Sequence, residues 1–387
     1  MVQLTLADII LSSFGGIAIS LSTSFHLYMK GRVTGFSGIF YSLISFERSS
    51  FYWKAALICG LITTSAVLYD IFKFNKVWDN TQIFDSPTTM IADLDFVGFA
   101  IAGYLVGIGT KLSNGCTSGH GVCGLPRFSQ RSWVSVGVFL ILGIALSTLK
   151  YHEPFLNEAQ GVDLIDSFQY DICANIFLAL SLLIFIILLL IEKKDKLDIV
   201  VGYVTGVLFA IGLGFGGMFR RSKISGFLSI SKDWDPSLMF VLGFAVGLNM
   251  ITFYIIQNKV KKPLLAEKLQ IPTNKTIDAR LIVGSLLFGL GWGLGGLCPG
   301  PAMGLLPIFS LQISVVWLIF LAFGQYTVTL YDKHQEKQTK QKSVFQQPQQ
   351  KEDSPINQVL FINAKNSQCT PAISQQVSNF SKQTSGL

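Results

Sequence analysis

The sequence predicts an all-α membrane protein: about nine transmembrane helices plus short re-entrant half-helices, built as two inverted pseudo-symmetric repeats. Three observations carry that prediction. Half of the 387 residues are hydrophobic and only 14% are charged, where soluble domains carry about one quarter. Apolar stretches of about 20 residues, the length that crosses a bilayer, recur along most of the chain. Short motifs also recur in the same order in its two halves.

Hydropathy places the crossings at about Asp8–Tyr28, Trp53–Phe72, Phe96–Leu112, Trp133–Leu149, Ile172–Ile191, Ile199–Phe219, Leu238–Ile256, Ile282–Leu297 and Ile313–Leu330. Segments too short to cross and too apolar for loops lie near Gly35–Ile44, Cys116–Leu125, Ser225–Ser231 and Pro299–Phe309, and read as half-helices. The first span has no basic segment before it and exceeds the apolar part of a signal peptide, so it reads as retained.

The net charge of +7 comes from 30 Lys and Arg against 23 Asp and Glu. These bases sit mainly in short connections between spans, a placement that reports topology, so the expected partner is the lipid bilayer and not nucleic acid. Connections after spans one, three, five and seven hold roughly twice the Lys and Arg of those after spans two, four and six, which predicts an external N-terminus and a cytoplasmic C-terminus. The chain then divides into a first repeat at 1–150, an acidic external connection with a linker helix at 151–196, a second repeat at 197–332 and a tail at 333–387. That tail is rich in Gln, Lys and Ser and is expected to be disordered.

The repeat is read from three ordered matches. Lys30-Gly-Arg-Val-Thr-Gly-Phe36 parallels Arg221-Ser-Lys-Ile-Ser-Gly-Phe227. Gly107-Ile-Gly109, followed seven residues later by Cys116, parallels Gly289-Leu-Gly291 followed seven residues later by Cys298. Leu125-Pro-Arg-Phe-Ser129 parallels Leu306-Pro-Ile-Phe-Ser310 with a single-residue shift. Because five crossings separate the two starts, the copies enter the membrane from opposite faces, and substrate is expected where their broken helices meet.

Chemistry concentrates in Ser113-Asn-Gly-Cys-Thr-Ser-Gly-His-Gly-Val-Cys-Gly124. Four glycines in twelve residues destabilise a helix by about 1 kcal/mol each, so the backbone is expected to open there. Asn114, Thr117, His120 and Cys123 would line that opening together with Cys116. In the second copy Pro299 follows Cys298 and marks a new helical start. Two-fold packing would bring Cys116 and Cys298 to the axis as a filter. A thiol is a weak, polarisable donor, suited to a soft sulfur or selenium atom that must also be released.

Cys59, Cys173 and Cys369 read as buried small hydrophobes or tail. Cys116, His120, Cys123 and Cys298 lack zinc-ligand spacing, and Cys116 and Cys123 lack the C-x-x-C of a thiol–disulfide oxidoreductase. A membrane thiol redox protein therefore stays as the reading outside transport. Lys30, Arg32, Arg221 and Lys223, beside Thr34 and Ser225, read both as interfacial anchors and as bases at the two pore mouths, and Lys111 joins them. No nucleotide-binding motif and no cofactor motif appears, so transport would be secondary or channel-like and not enzymatic.

The run NGCTSGHGVCG, with GRVTGFSG, GLCPGPA and LPRFS, resembles the YeeE/YedE sulfur-transport family over about residues 8–330. The resemblance implies thiosulfate uptake through a cysteine-lined path between two pseudo-symmetric halves. Cys116 and Cys298 fall on the family's two later pathway cysteines. Its earlier cysteine, in an R-F-C element, corresponds to Thr34 in Arg32-Val-Thr34, which places the chain nearer a branch of less certain substrate. A small sulfur-containing anion is the implied partner, and a cytoplasmic sulfur-carrier protein is a further partner left open.

Overall fold

The computed structural model describes residues 4–78, 81–86, 89, 94–156, 167–193, 195–260, 262–308 and 311–345. The described residues are mostly helical, with a single two-stranded hairpin among them. The first half of the chain holds α1 (Leu6–Lys30), the short α2 (Phe36–Ile44), α3 (Phe51–Phe72), the hairpin of β1 (Lys76–Trp78) and β2 (Thr81–Gln82), α4 (Phe96–Ser113) and α5 (Gln130–His152). After α6 (Ser167–Ile191) come α7 (Lys196–Phe215), the short α8 (Arg221–Leu228), α9 (Ser237–Ile255), α10 (Ala279–Gly295), the single-turn α11 (Pro299–Gly304) and α12 (Leu311–Phe345).

Eight helical stretches among the described residues are long and apolar enough to cross a bilayer. The eighth predicted span falls on α10, which has 17 residues and so lies at the lower limit of about 17 that a crossing needs. Helix starts follow local chemistry. Thr5 and Asp8 form a reciprocal capping box on α1, and the Asp95, Ser129 and Asp278 side chains accept backbone N–H groups at the starts of α4, α5 and α10.

The four short segments fall close to their predicted places, with differences that local chemistry explains. The Cys116–Leu125 stretch is a wide π turn at Thr117–Val122 followed by a 3₁₀ turn at Leu125–Arg127, because its glycines tolerate a loosened ladder. The segment expected from Ser225 begins earlier, at Arg221, since Asp85 accepts the Ser222 N–H at 2.8 Å and supplies a cap from outside the segment.

Several helix contacts within residues 1–329 recur in related pairs. A Cβ on Gly109 would lie 2.7 Å from the Gly284 oxygen, and one on Gly291 2.7 Å from the Ala102 oxygen. Gly291 and Ala102 are what Gly109 and Gly284 become when α4 and α10 are exchanged by an offset of 182 residues. The same exchange turns the approach of Gly284 to Ser113 into that of Gly295 to Ala102. Contact order makes α4 and α10 antiparallel. Helices α1 and α7 are antiparallel too, with Gly15 and Gly212 in contact and the Ser22 hydroxyl donating to the Thr205 carbonyl at 2.7 Å. By contrast α3 runs parallel to α7, where Gly202 meets Trp53 and Gly206 meets Leu57, and α1 runs parallel to α9. Small residues let these backbones touch, which replaces the hydrophobic drive that lipid removes.

The expectation of a disordered tail from 333 is corrected for its first part, because α12 continues through Phe345. Lys, Gln and Glu are good helix formers without any apolar face, and Glu336 pairs with Lys340 at 2.6 Å one turn on. The acidic connection at 157–166 and the tail from 346 onward, including Cys369, lie outside the described residues.

Candidate functional site: two thiols between basic vestibules

The local geometry of both cysteines follows from how α4 and α10 end. Asn114 (φ +60°) and Gly296 (φ +63°) each close their helix in the left-handed conformation, with N–H groups returned to the Thr110 and Trp292 carbonyls. Asn and Gly tolerate that conformation best. Two residues later Cys116 and Cys298 are extended, each as the residue that opens the next turn. Pro299 then occupies the first helical position, where a missing N–H has no consequence.

These turns bring the two sulfurs around one point. Thr117 Oγ1 lies 3.0 Å from Cys298 Sγ, and Ser118 Oγ lies 3.2 Å from Cys116 Sγ. Ser118 Oγ also accepts the Phe36 N–H at 3.1 Å, which leaves its own proton for the sulfur. Both thiols border a cavity of about 120 Å³ whose other walls include Phe36, Phe139, Phe227 and Trp292. Among the described residues, no charged side chain lines it.

Two larger cavities carry the charge. One, of about 650 Å³, is lined by Arg32, Lys54, Lys111, Arg127 and Arg131 with Glu47. The other, of about 730 Å³, is lined by Lys150, Arg220, Arg221 and Lys223 with Asp233 and Asp235. Phe36 borders the central cavity next to Gly35 of the first vestibule, and Phe227 borders it next to Gly226 of the second. The two phenylalanines therefore stand at equivalent places in the two copies of the GF motif.

The remaining sequence-derived residues divide. Asn114 lines the first vestibule, and Ser225 the second, where its hydroxyl is buried with no hydrogen-bond partner among the described residues. His120 borders the first vestibule, but both its ring nitrogens are engaged by the chain: Nε2 at 3.2 Å from the Ser113 carbonyl and Nδ1 at 3.1 Å from Ser132 Oγ. A carbonyl only accepts, so Nε2 carries the proton and the Ser132 hydroxyl donates to Nδ1. His120 thus braces the turn. Cys123 and Thr34 stand apart from the central cavity's lining: Cys123 Sγ donates to the Thr34 carbonyl at 3.4 Å, and Thr34 Oγ1 meets His26 Nδ1 at 2.9 Å. Lys111 lies 3.3 Å above the Tyr41 ring, and the Arg221 guanidinium lies 5.1 Å from the Phe99 ring centre. Lys30 is buried and pairs with Asp198 at 3.4 Å. Among the described residues, no three His, Cys, Asp or Glu side chains converge as metal ligands.

Several contributors were missed. Asn249 on α9 donates to the Val122 carbonyl at 2.9 Å, so a helix 127 residues away in the chain fixes the end of the π turn. Ser65 on α3 does the same for the Gly304 carbonyl at the end of α11, and Gly304 is the equivalent of Val122 under the 182-residue offset. A lone amide in an otherwise apolar span was the available signal for Asn249. Asp8 and Asp198, which pair with Lys223 and Arg32, were visible only as an acid opening each copy.

Comparison with known proteins finds relatives of both halves of the chain by family model. Residues 1–146 match the family described as Sulphur transport, and residues 197–339 match a family of unknown function, DUF6691. A probable transporter of Xylella fastidiosa strain Temecula1 is 42% identical over 110 residues, which is 28% of this chain and 74% of that protein. Another probable transporter, from strain 9a5c, is 35% identical over 134 residues, or 35% of this chain and 89% of that protein.

Proposed function

The chain belongs to the YeeE/YedE sulfur-transport family, and from that premise we propose that it is a permease for a small sulfur-containing anion, thiosulfate first, which passes between Cys116 and Cys298. The observation that carries this reading is the pair of thiols on one small uncharged cavity with a base-lined vestibule beyond each phenylalanine. The vestibules concentrate anions by their field. The cavity is too small for a hydrated anion, so the ion sheds water there. A thiol, a hydroxyl and an aromatic edge hold a soft sulfur weakly enough for release.

The matched contacts of α4 with α10, and the matched braces from Ser65 and Asn249, support two inverted copies around this cavity. By the distribution of bases the first vestibule opens to the cytoplasm and the second outside. Uptake is the proposed direction. Thr34, where thiosulfate-transporting relatives carry a thiol, favours testing other reduced sulfur or selenium anions beside thiosulfate.

The test is uptake of labelled thiosulfate by proteoliposomes carrying the parent, Cys116→Ala or Cys298→Ala. Each variant is expected to lose most of the flux. Undiminished flux in both overturns the thiol filter, and an inactive parent points to another solute.

A further inference from the structure

We propose that Asp198 and Asp8 are the resident counter-ions of the two pore mouths, and that an entering anion takes the mouth's base from its aspartate. The inference rests on the transport reading above and adds to it the residues that set affinity at each mouth.

The arrangement follows from the antiparallel contact of α1 and α7. Each helix carries an acid in its first turn, Asp8 in α1 and Asp198 in α7. The antiparallel pairing sets each acid level with the basic segment that follows the other helix. Arg32 Nη1 lies 2.7 and 3.0 Å from the two carboxylate oxygens of Asp198, and Lys30 Nζ lies 3.4 Å from one of them. At the other mouth Lys223 Nζ lies 3.4 Å from Asp8 Oδ1. Both pairs therefore join one copy's base to the other copy's acid. Their positions repeat as well: Asp198 follows Asp8 by 190 residues and Lys223 follows Arg32 by 191.

These are not loose surface pairs. The Lys223 side chain is 1% exposed, that of Asp198 14% and that of Arg32 22%. A base so far removed from water cannot be left bare, because an unpaired buried charge costs more than the pair gains. Arg32 and Lys223 nonetheless line the two vestibules through which an anion must come. An anion that arrives supplies the replacement charge, the carboxylate is released toward water, and the base is compensated throughout. The aspartate thus competes with substrate for one cation.

Of the other acids at the mouths, Asp235 adds its charge to that of Asp8 on Lys223, Asp233 accepts from the Tyr151 hydroxyl at 2.9 Å, and three more have basic partners of their own. Glu47 pairs with Lys54, Asp278 with Arg131, and Asp85 with Arg220. Asp8 also closes the α1 capping box with Thr5 and accepts from Thr81 at 3.1 Å. Asp198 makes no such cap, so it is the cleaner residue to change.

Thiosulfate uptake into proteoliposomes and thiosulfate titration of the detergent-purified protein by thermal shift are to be measured for the parent, Asp198→Asn, Asp198→Glu and Asp198→Asn with Arg32→Gln. Asp198→Asn is expected to lower the half-saturating thiosulfate concentration several-fold in both measurements. Asp198→Glu, which holds Arg32 less well, is expected to shift it in the same direction by a smaller factor, and decides the matter if the Asn variant does not fold. The double variant is expected to lose the gain. Unchanged or weaker half-saturation in the single variants overturns the proposal while leaving an active parent's transport role intact. A parent that binds thiosulfate without moving it overturns the transport reading, and the titration alone then judges the aspartate. No thermal response in any form overturns both.

Discussion

Gly296 and Asn114 do the same conformational task with different side chains, and that difference predicts unequal tolerance. Gly296→Ala places a Cβ 2.7 Å from Ser225 Oγ in a left-handed backbone, and is expected to cost about 1 to 2 kcal/mol. Asn114→Gly retains the conformation and is expected to change stability by a few tenths of that. Thermal melts of the purified variants check the contrast: equal losses would mean that backbone handedness does not govern the two breaks. At this scale the sequence singled out Cys116 and Cys298 by their equal spacing from a Gly-x-Gly in each half, and both border the central cavity. It did not show that Cys123 turns to the Thr34 carbonyl and away from the opening, nor that His120 is occupied on both nitrogens. Which way a thiol or imidazole points depends on Thr34, Ser132 and Ser113, which only the folded chain brings near.

Among the elements, two of the broken segments are held by helices distant in the chain, through Asn249 and Ser65. Asn249 accepts from Ser20 at 2.9 Å and from Ser24 at 3.0 Å while donating to Thr23 and Val122 at 2.9 Å each. Asn249→Leu leaves the Val122 carbonyl and three hydroxyls without it and is expected to destabilise the protein by about 2 kcal/mol. Thiosulfate flux is expected to fall with it, since Val122 lines the central cavity. A melt and a flux assay on the same preparation check both effects, and parent-like values in both would remove Asn249 from the support of the turn. Long spans were legible because about 20 apolar residues have few alternatives in a membrane. The early start of α8 was not, because its cap, Asp85, comes from 137 residues away. Helix in 333–345 was missed because hydropathy is silent where propensity alone decides.

For the molecule as a whole, two base-lined vestibules would make the proposed uptake sensitive to ionic strength. Raising potassium chloride from about 0.01 M to about 0.15 M shortens the screening length from about 30 to about 8 Å. The half-saturating thiosulfate concentration is expected to rise with it, and a flat response would deny the vestibules a part in capture. The proposed inversion has its own check. Ser49→Cys and Lys232→Cys, both exposed, are expected to react with an impermeant maleimide from opposite faces of the membrane, Lys232→Cys from outside. Labelling from one face would refute two inverted copies. The motif matches were legible in the sequence and motivate the proposed duplication, whereas the aspartates opposite the bases were not legible, since their pairing appears only when α1 and α7 lie side by side.

The contact of α4 with α10 has a consequence beyond this chain. Gly109 against Gly284 and Gly291 against Ala102 are one junction seen from its two ends. A half-length polypeptide with such a helix would satisfy the junction with a second molecule of itself, but only one inserted upside down. Its flanking lysines and arginines would have to be balanced so that ribosome-fresh chains settle both ways. Fusing the halves through a linker containing an odd number of crossings removes that demand, and each half is then free to accumulate its own charge bias.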